Sequence, residues 1–485
     1  MQTLLAWLIA PLLLGAAYPW AAWTLAKTPR QGNPALVLCL TLAFSVGALT
    51  QIMLWQAALG LAFDPAAVTA SYLALALPGW LLWRRAKLPL PRPARPRGAL
   101  AATALVVCAL VSAAVLFNAV YWPFSRDDAL GIYNHFAVWM YDHRAIAPFV
   151  AGSALYETYP VLIPLTYTYS YMLSGWHNEY LARLFPALLS LGCLPAALAL
   201  GCALDRPAAG WLGALLLAVT PVFGAWASAG YVDLPMAFFH TLGAVFAWRL
   251  WRDNAAADAV LAGLTMGLAA WTKNAALVGA LGLGLWLVLG WLRQRIGLRQ
   301  VALAALALLL VAGPWYARSL LGAGVLIAPT VWTEQAARTL ENLLVLVLFP
   351  DRYAVTGLLA TAGALASAAA LLRRAPDAAA HGLLLLWTAP YFAAWWLFAS
   401  YDPRFLLLFL PPLTVTAGLW LTRAWDDVVP RGWQRRAVLP LTLAALLLTA
   451  PVLIRSVEHK RAILRDPLMG HAAKVEQVRS SSSSR

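Results

Sequence analysis

Charge is what this chain has least of. Only 11% of its 485 residues are Asp, Glu, Lys or Arg, against roughly 25% in a soluble globular domain. With 62% hydrophobic residues, there is too little polar surface to cover a water-exposed fold, and the same excess excludes a disordered chain. Cysteine is scarce as well. Cys39, Cys108, Cys193 and Cys202 fall inside apolar runs without C-x-x-C spacing and read as small helix-packing residues, not disulfides. The seven histidines are scattered and show no H-E-x-x-H or comparable ligand spacing. No P-loop and no dinucleotide fingerprint occurs, so nucleotide cofactors are unsupported.

What is abundant is the long apolar run. A bilayer-spanning helix needs about 20 mostly apolar residues, and such runs recur from end to end. Segments near 3–25, 35–60, 66–83, 99–121, 160–204 (with a break), 208–225, 233–252, 257–272, 275–292, 300–321, 353–372, 381–399, 404–422 and 436–455 read as spans. Backbone polar groups in lipid must pair within the segment, so these are helices. The expectation is an all-α polytopic membrane protein with about 13–14 transmembrane helices. Its divisions are 1–98 (N-terminal helices and a basic loop), 99–321 (a central helical module with an outer loop at 122–159), 322–352 (a second outer loop), 353–455 (C-terminal helices) and 456–485 (a tail). The first run has no basic residue before it and leads directly into another span, so it is expected to be retained, not cleaved.

The net charge of +15 is not a nucleic-acid signal, because the basic residues cluster in short turns between spans, as the positive-inside rule requires. The stretch Arg84 to Arg97 holds six of them among four prolines and reads as an extended cytoplasmic linker. Lys27, Arg30, Arg249, Arg252, Arg293, Arg295, Arg299, Arg373, Arg374, Arg423, Arg431, Arg435 and Arg436 fall on the same side by span counting. The tail beyond Arg455 is basic yet falls opposite, against the rule.

The remaining connections, on the other side, carry acids and isolated cations. Tyr121 to Tyr159 is a long loop with Asp127, Asp128, Asp142 and Glu157; Gly230 to Asp233 and Trp271 to Asn274 are tight turns; Leu321 to Tyr353 is a second long loop with Glu334, Glu341, Asp351 and Arg352; Ser400 to Arg404 carries Asp402 and Arg404. Loops beyond about 12–15 residues are usually functional or disordered, and these are too aromatic for disorder. In the first loop Leu130, Tyr133, Ala137, Met140 and Tyr141 recur at helical spacing, the pattern of a juxtamembrane helix lying along a membrane surface. Ser125 with Asp128 also fits a capping box, which would leave Asp127 unassigned. Asp233 before Pro235 equally fits a helix start. Lys273, a lone cation on the disfavoured side, either snorkels to headgroups or binds a lipid phosphate; Arg404 poses the same choice, with Asp402 as its nearest partner.

Several stretches resemble the integral-membrane glycosyltransferases of the C fold, in particular the branch of protein O-mannosyltransferases and lipid A aminoarabinose transferases. These are Asp127-Asp128 at the start of the first loop, Tyr159-Pro160-Val161-Leu162, the Ala182-Arg183-Leu184-Phe185-Pro186 run, Gly230-Tyr231-Val232-Asp233-Leu234-Pro235, Trp271-Thr272-Lys273-Asn274, and Phe405 to Pro412 following Arg404. The second acid of the opening pair is Asp where that branch has Glu, and three spans precede the similar region. The resemblance implies transfer of a sugar, with inversion, from a polyprenyl-phosphate carrier to a glycan, lipid or protein acceptor at the exoplasmic face of the plasma membrane. It implies Asp127 as general base with Asp128 beside it, and Lys273, Arg404 and Arg352 as cations for the departing phosphate. Tyr159, Asp233, Asn274, Tyr401 and Asp402 are implied as substrate contacts, with Tyr167, Tyr169 and Tyr171 lining a groove. No particular cofactor is implied, although adjacent acids such as Asp127 and Asp128 are a pattern able to hold a divalent ion. The rival classes are a lipid-linked sugar flippase or secondary transporter, which would carry charge near the bilayer midplane, and a non-catalytic lipid-binding subunit.

Overall fold

The computed structural model describes residues 2–29, 33–88, 98–149, 157–327 and 335–482; Arg30, most of the proline-rich linker and Glu334 lie outside them. Within them the chain is helical throughout, without strands. The first expected span is two helices, α1 (Gln2–Ala16) and α2 (Tyr18–Ala26), with Pro19 in the opening turn of the second, where a missing amide hydrogen costs nothing. Helices α3 (Pro34–Ala58) and α4 (Pro65–Arg85) begin the same way. Asn33 and Asp64 accept from the amides three residues on, and proline follows each cap.

After α5 (Ala99–Tyr121) comes the first long loop. A π-helical turn over Ala129–Asn134 feeds α6 (His135–His143). The wider turn alters the expected stripe: Ala129, Tyr133, Ala137 and Met140 face inward, while Leu130 is left outside. Helix α6 stops at Arg144, whose φ of 56° is left-handed.

The segment too long for one span resolves into α7 (Leu162–Ser174) and α8 (Glu179–Ala203), parted at Gly175 with φ 75°. Just before α7, the Thr158 carbonyl accepts from Asn274 and Trp315. Just after it, the Glu179 carboxylate accepts from the Phe124 amide. Both ends of α7 therefore sit at one end of the bundle, and this short helix, buried except at Leu173, does not cross it.

Next come α9 (Pro207–Ala218), α10 (Pro221–Trp226), α11 (Asp233–Asp253), α12 (Ala256–Thr272), α13 (Ala276–Leu292) and α14 (Leu298–Ala323). Two short turns, α15 (Leu340–Leu343) and α16 (Val345–Leu348), precede α17 (Pro350–Leu372) and α18 (Ala378–Phe398). A 3₁₀ segment, Pro403–Phe409, runs into α19 (Leu410–Val428), followed by α20 (Arg431–Ser456), α21 (Lys460–Arg465) and α22 (His471–Ser482). Every apolar run read as a span is helical. Among the described residues nine segments are long and apolar enough to cross a membrane, and α9, α12 and α13 are apolar but shorter. The chain is an all-α, multi-pass membrane protein.

Helix α11 is the centre, buried along nearly its whole length and packed on α8 and α12. Close approach depends on small residues: a Cβ on Gly263 of α12 would stand 2.0 Å from the Ala304 carbonyl oxygen of α14. The periphery, notably α4, α14 and α20, turns Leu75, Leu309, Leu439 and Leu447 outward, surface that only lipid covers without cost. Consecutive crossings sort the charges to two ends. One end holds the arginine-rich turns, with Arg249 paired to Asp258 at 2.9 Å and Arg252 to Asp205 at 2.7 Å. The other holds the acid-bearing connections, and the tail lies there too: Tyr121 donates to the Pro467 carbonyl at 3.0 Å and Tyr180 meets His471 at 2.8 Å.

Candidate active site

Five charged side chains from four separate parts of the sequence converge at the acid-bearing end. Gly230, with φ 77°, turns the chain so that its carbonyl accepts from the buried Tyr167 hydroxyl, and a Cβ there would strike Phe124. Glycine is required at such a conformation. Three residues on, Asp233 opens α11. Its carboxylate does not cap the helix; it takes the Lys273 ammonium at 2.5 Å. Lys273 ends α12 in extended conformation, which aims its side chain across to α11. Both are buried, and the Lys273 nitrogen also lies 4.1 Å from the Phe405 ring centre.

Arg404 gathers the rest. Its guanidinium is 2.9 Å from Asp128, 3.2 Å from Asp402 and 3.8 Å from Asp233. It rests against Trp226, Tyr231 and Phe405, with centroid distances of 5.2, 4.6 and 5.0 Å. Asp402 has a second task, accepting from the Arg404 amide at 2.8 Å to start the 3₁₀ segment. Three carboxylates thus face two cations. The Arg404–Asp233–Lys273 side is closed off, while Asp128 and Asp402 are about a third exposed, at 32% and 31%.

The first loop is held by its neighbours, not by the capping box. The Ser125 hydroxyl donates to Glu458 at 2.7 Å, and the Asp128 amide donates to the Tyr231 hydroxyl at 3.0 Å. Asp127 is left exposed beside the cluster, with no ion pair among the described residues. Tyr133 and Tyr231 meet edge to face at 5.9 Å. Burial, followed by the nearby Asp233 and Asp128 charges, holds the Tyr133 hydroxyl well above the usual phenol range. Burial and then Asp128 do the same to Tyr231. Both stay protonated, as polar but uncharged walls.

The other predicted residues divide. Tyr159 is half-buried within electrostatic reach of Tyr133. Tyr401, 36% exposed and edge-on to Phe405, stands at the rim. Asn274 is occupied structurally, donating to Thr158 and accepting from Tyr316. Arg352 is not in the cluster; its guanidinium lies over Phe349 at 5.5 Å. Tyr167, Tyr169 and Tyr171 do not line an open groove. All are fully buried, with hydroxyls engaged by Gly230, Thr69 and Asn134. No group of three or more His, Cys, Asp or Glu side chains able to hold a metal occurs among the described residues. Between Asp128 and Asp233 it is the Arg404 guanidinium that neutralises the acids.

Sequence reasoning missed the support beneath the site. Arg183, wholly buried in α8, donates to the carbonyls of Ser228, Trp122 and Pro123, and lies 3.5 Å from Glu458. An arginine alone in an apolar helix is itself a signal. Glu458, in a tail that reads as basic, gave none.

Residues 134–321 match the dolichyl-phosphate-mannose-protein mannosyltransferase family, so Tyr159, Asp233, Lys273 and Asn274 fall within the match and the remaining site residues outside it. No curated protein matches the chain by sequence. Among solved structures, ArnT from Cupriavidus metallidurans bound to undecaprenyl phosphate is similar over 72% of this chain and 65% of its own, with 20% identity and a TM-score of 0.50. The archaeal oligosaccharyltransferase AglB from Archaeoglobus fulgidus, in complex with an inhibitory peptide and a dolichol-phosphate, is similar over 73% of this chain and 56% of its own, with 15% identity and a TM-score of 0.50. The Archaeoglobus fulgidus oligosaccharyltransferase in complex with zinc and sulfate is similar over 73% of this chain and 53% of its own, with 15% identity and a TM-score of 0.51. The chain therefore spans about two thirds of the first of these proteins and little more than half of the second. Residues 134–321 carry the mannosyltransferase-family similarity, and the chain around them has the C-type fold of the membrane glycosyltransferases.

Proposed function

We propose that this protein is a membrane-embedded glycosyltransferase that moves a sugar, with inversion, from a polyprenyl-phosphate carrier to an acceptor hydroxyl on a glycan, lipid or protein at the exoplasmic membrane surface. The observation that carries the reading is the convergence of Asp128, Asp233, Lys273, Asp402 and Arg404 at one end of an apolar bundle, next to an exposed Asp127. Inverting transfer needs a base on one side of the anomeric carbon and positive charge for the leaving phosphate on the other. Asp127 is the base, because Asp128 is engaged by the Arg404 guanidinium at 2.9 Å while the Asp127 side chain is exposed next to it. Asp128 instead anchors Arg404.

Arg404 is the first cation to meet the departing phosphate, since its contacts with Asp128 and Asp402 lie at the exposed rim and a phosphoryl oxygen can replace a carboxylate there. Lys273, closed in by Asp233 and Phe405, acts through Asp233 and keeps the net charge of the floor low. Tyr401 and Tyr159 contact the sugar, Asp402 and Asn274 orient their neighbours, and Arg352 attracts the lipid phosphate from the periphery. A transporter is less well supported: the buried pairs Asp233–Lys273 and Arg249–Asp258 sit at helix ends, not halfway along helices.

The test is transfer of radiolabelled sugar from a polyprenyl-phosphate donor by the purified protein in lipid. Asp127→Asn is expected to lower the rate by about 10³-fold or more, as general-base removal does, with unchanged melting behaviour. An Asp127→Asn protein of full activity would remove this residue from the chemistry.

A further inference from the structure

Beyond α20 the chain does not leave the bundle. His459 packs against Trp122 at 4.8 Å, Lys474 lies 3.7 Å over the Tyr121 ring, and Tyr121 and Tyr180 hydrogen-bond to the tail. Ala462 and Val478 of this docked segment are buried against Trp122, and one acidic side chain, Glu458, reaches further in. The Glu458 carboxylate is 9% exposed and accepts from Ser125 at 2.7 Å, with Arg126 at 3.4 Å and Arg183 at 3.5 Å. Its backbone amide donates to Asn118 at 2.8 Å, and Asn118 donates to Ser228 at 2.7 Å.

A buried carboxylate is expensive unless its charge is answered, and an apolar residue would have anchored the tail more cheaply. The partners say what the charge does. Ser125 and Arg126 immediately precede Asp127 and Asp128. The Arg126 guanidinium lies 5.0 Å from the Trp226 ring centre, and Arg404 lies 5.2 Å from the same ring. Trp226 is thus shared between the arginine that Glu458 holds and the arginine that holds Asp128. Arg183, the third partner, fixes the carbonyls of Trp122 and Pro123 at the root of the same loop.

We propose that Glu458 is a positioning residue of the active site: the C-terminal segment reaches back under the first loop and sets Asp127, through Ser125 and Arg126, and Arg404, through Arg126 and Trp226. This rests on the transfer reading above for its catalytic consequence, but the placement of the loop is measurable without it. The tail is docked at several other points, so Glu458→Gln, of equal size, removes the charge without releasing the segment.

Two measurements on the full chain in nanodiscs decide the matter. The first is the rate at which an impermeant maleimide labels Asp127→Cys, with Leu326→Cys in the second loop of the same end as control. Adding Glu458→Gln is expected to raise the Asp127→Cys rate by about tenfold, as a locally loosened segment does, and to leave Leu326→Cys unchanged. The second is sugar transfer by Glu458→Gln with Asp127 intact. The kcat is expected to fall by about tenfold with the donor KM within about twofold, the signature of a lost transition-state alignment, and Glu458→Asp is expected to recover part of it. Unchanged labelling of Asp127→Cys overturns the proposal whatever the enzyme does. Equal acceleration at both cysteines, or a kcat loss that only follows a lower melting temperature, also overturns it, because the role is then general stability. A labelling change in a protein that transfers no sugar upholds the positioning and sinks the transfer reading alone.

Discussion

At the scale of single residues, scarcity is what made the site legible. In a chain with so few charges, each lone ion at a helix end needs a partner or a purpose; that reasoning marked Lys273 and Arg404, the family resemblance added Asp128, Asp233 and Asp402, and the fold brings the five together. It did not reveal Glu458. The contact between Glu458 and Ser125 links positions 333 residues apart, and no local spacing encodes such a pairing. Arg404 is the residue on which the cluster turns. Arg404→Ala would leave Asp233 buried with only Lys273 and Asp128 without its guanidinium, and the loss of one partner from a buried ionic group costs about 3–5 kcal/mol. The expected outcome is a clear fall in the midpoint of thermal unfolding together with loss of transfer. Arg404→Lys should recover stability better than activity, since an ammonium cannot span three carboxylates. Glu458 offers a pH test. Burial pushes its carboxyl upward, but Arg183, Arg126 and the Ser125 hydroxyl, with His459 adjoining, outweigh it and hold the group below the ordinary glutamate range. A depressed folded pKa contributes stability above the unfolded value, near 4.3, and loses it as pH falls through the folded one. Melting temperature followed from neutral pH down to about pH 3 should decline for the native protein, and the decline should be shallower in Glu458→Gln.

At the scale of elements, every apolar run became helix because a backbone in lipid has no other partner than itself. What composition did not disclose is where helices stop short. α7 is too short to cross and lies buried with both ends at one face, and α9 and α10 divide at Pro221. Periodicity reports a helix, not its tilt or its neighbours, so the aromatic run through Tyr167, Tyr169 and Tyr171 read equally well as a groove. In the fold their hydroxyls tie α7 to the turn at Gly230, to α4 and to the first loop. The wider turn at Ala129–Asn134 is likewise invisible to a 3.6-residue count. Helix contacts are most exposed to disruption at Gly263, where α12 meets the α14 backbone. Gly263→Val should force the two apart, lowering the melting temperature and loosening Lys273 at the end of the same helix. A Val variant that melts like the native protein would mean that the two helices tolerate separation.

At the scale of the whole molecule, the alternation of crossings puts the arginine-rich turns and the charged cluster at opposite ends, as the spacing of charges along the sequence implies. That arrangement yields a topological prediction. The four native cysteines are buried or half-buried and unpaired, so engineered thiols are read against a quiet background. Asp127→Cys and a cysteine at Arg373 should respond oppositely to an impermeant thiol reagent on sealed, oriented vesicles. Asp127→Cys should label from the outside, and the Arg373 site only after permeabilisation. Both labelling from one side would place the arginine-rich turns and the charged cluster at the same membrane face and overturn this topology.

The apolar part of the last long helix, α20, is the 21-residue stretch Arg436–Ser456, about 31 Å of rise, close to the roughly 30 Å of a hydrocarbon slab. Little of it is buried inside the protein, so its fit answers to the thickness of the lipid around it. A matched strut has to shift when the slab thickens or thins, and Glu458 follows two residues beyond its end. A change in acyl-chain length is therefore expected to reach the loop of Asp127 and Asp128 through that carboxylate's hold on Ser125 and Arg126, which transfer rates in bilayers of different thickness would read out.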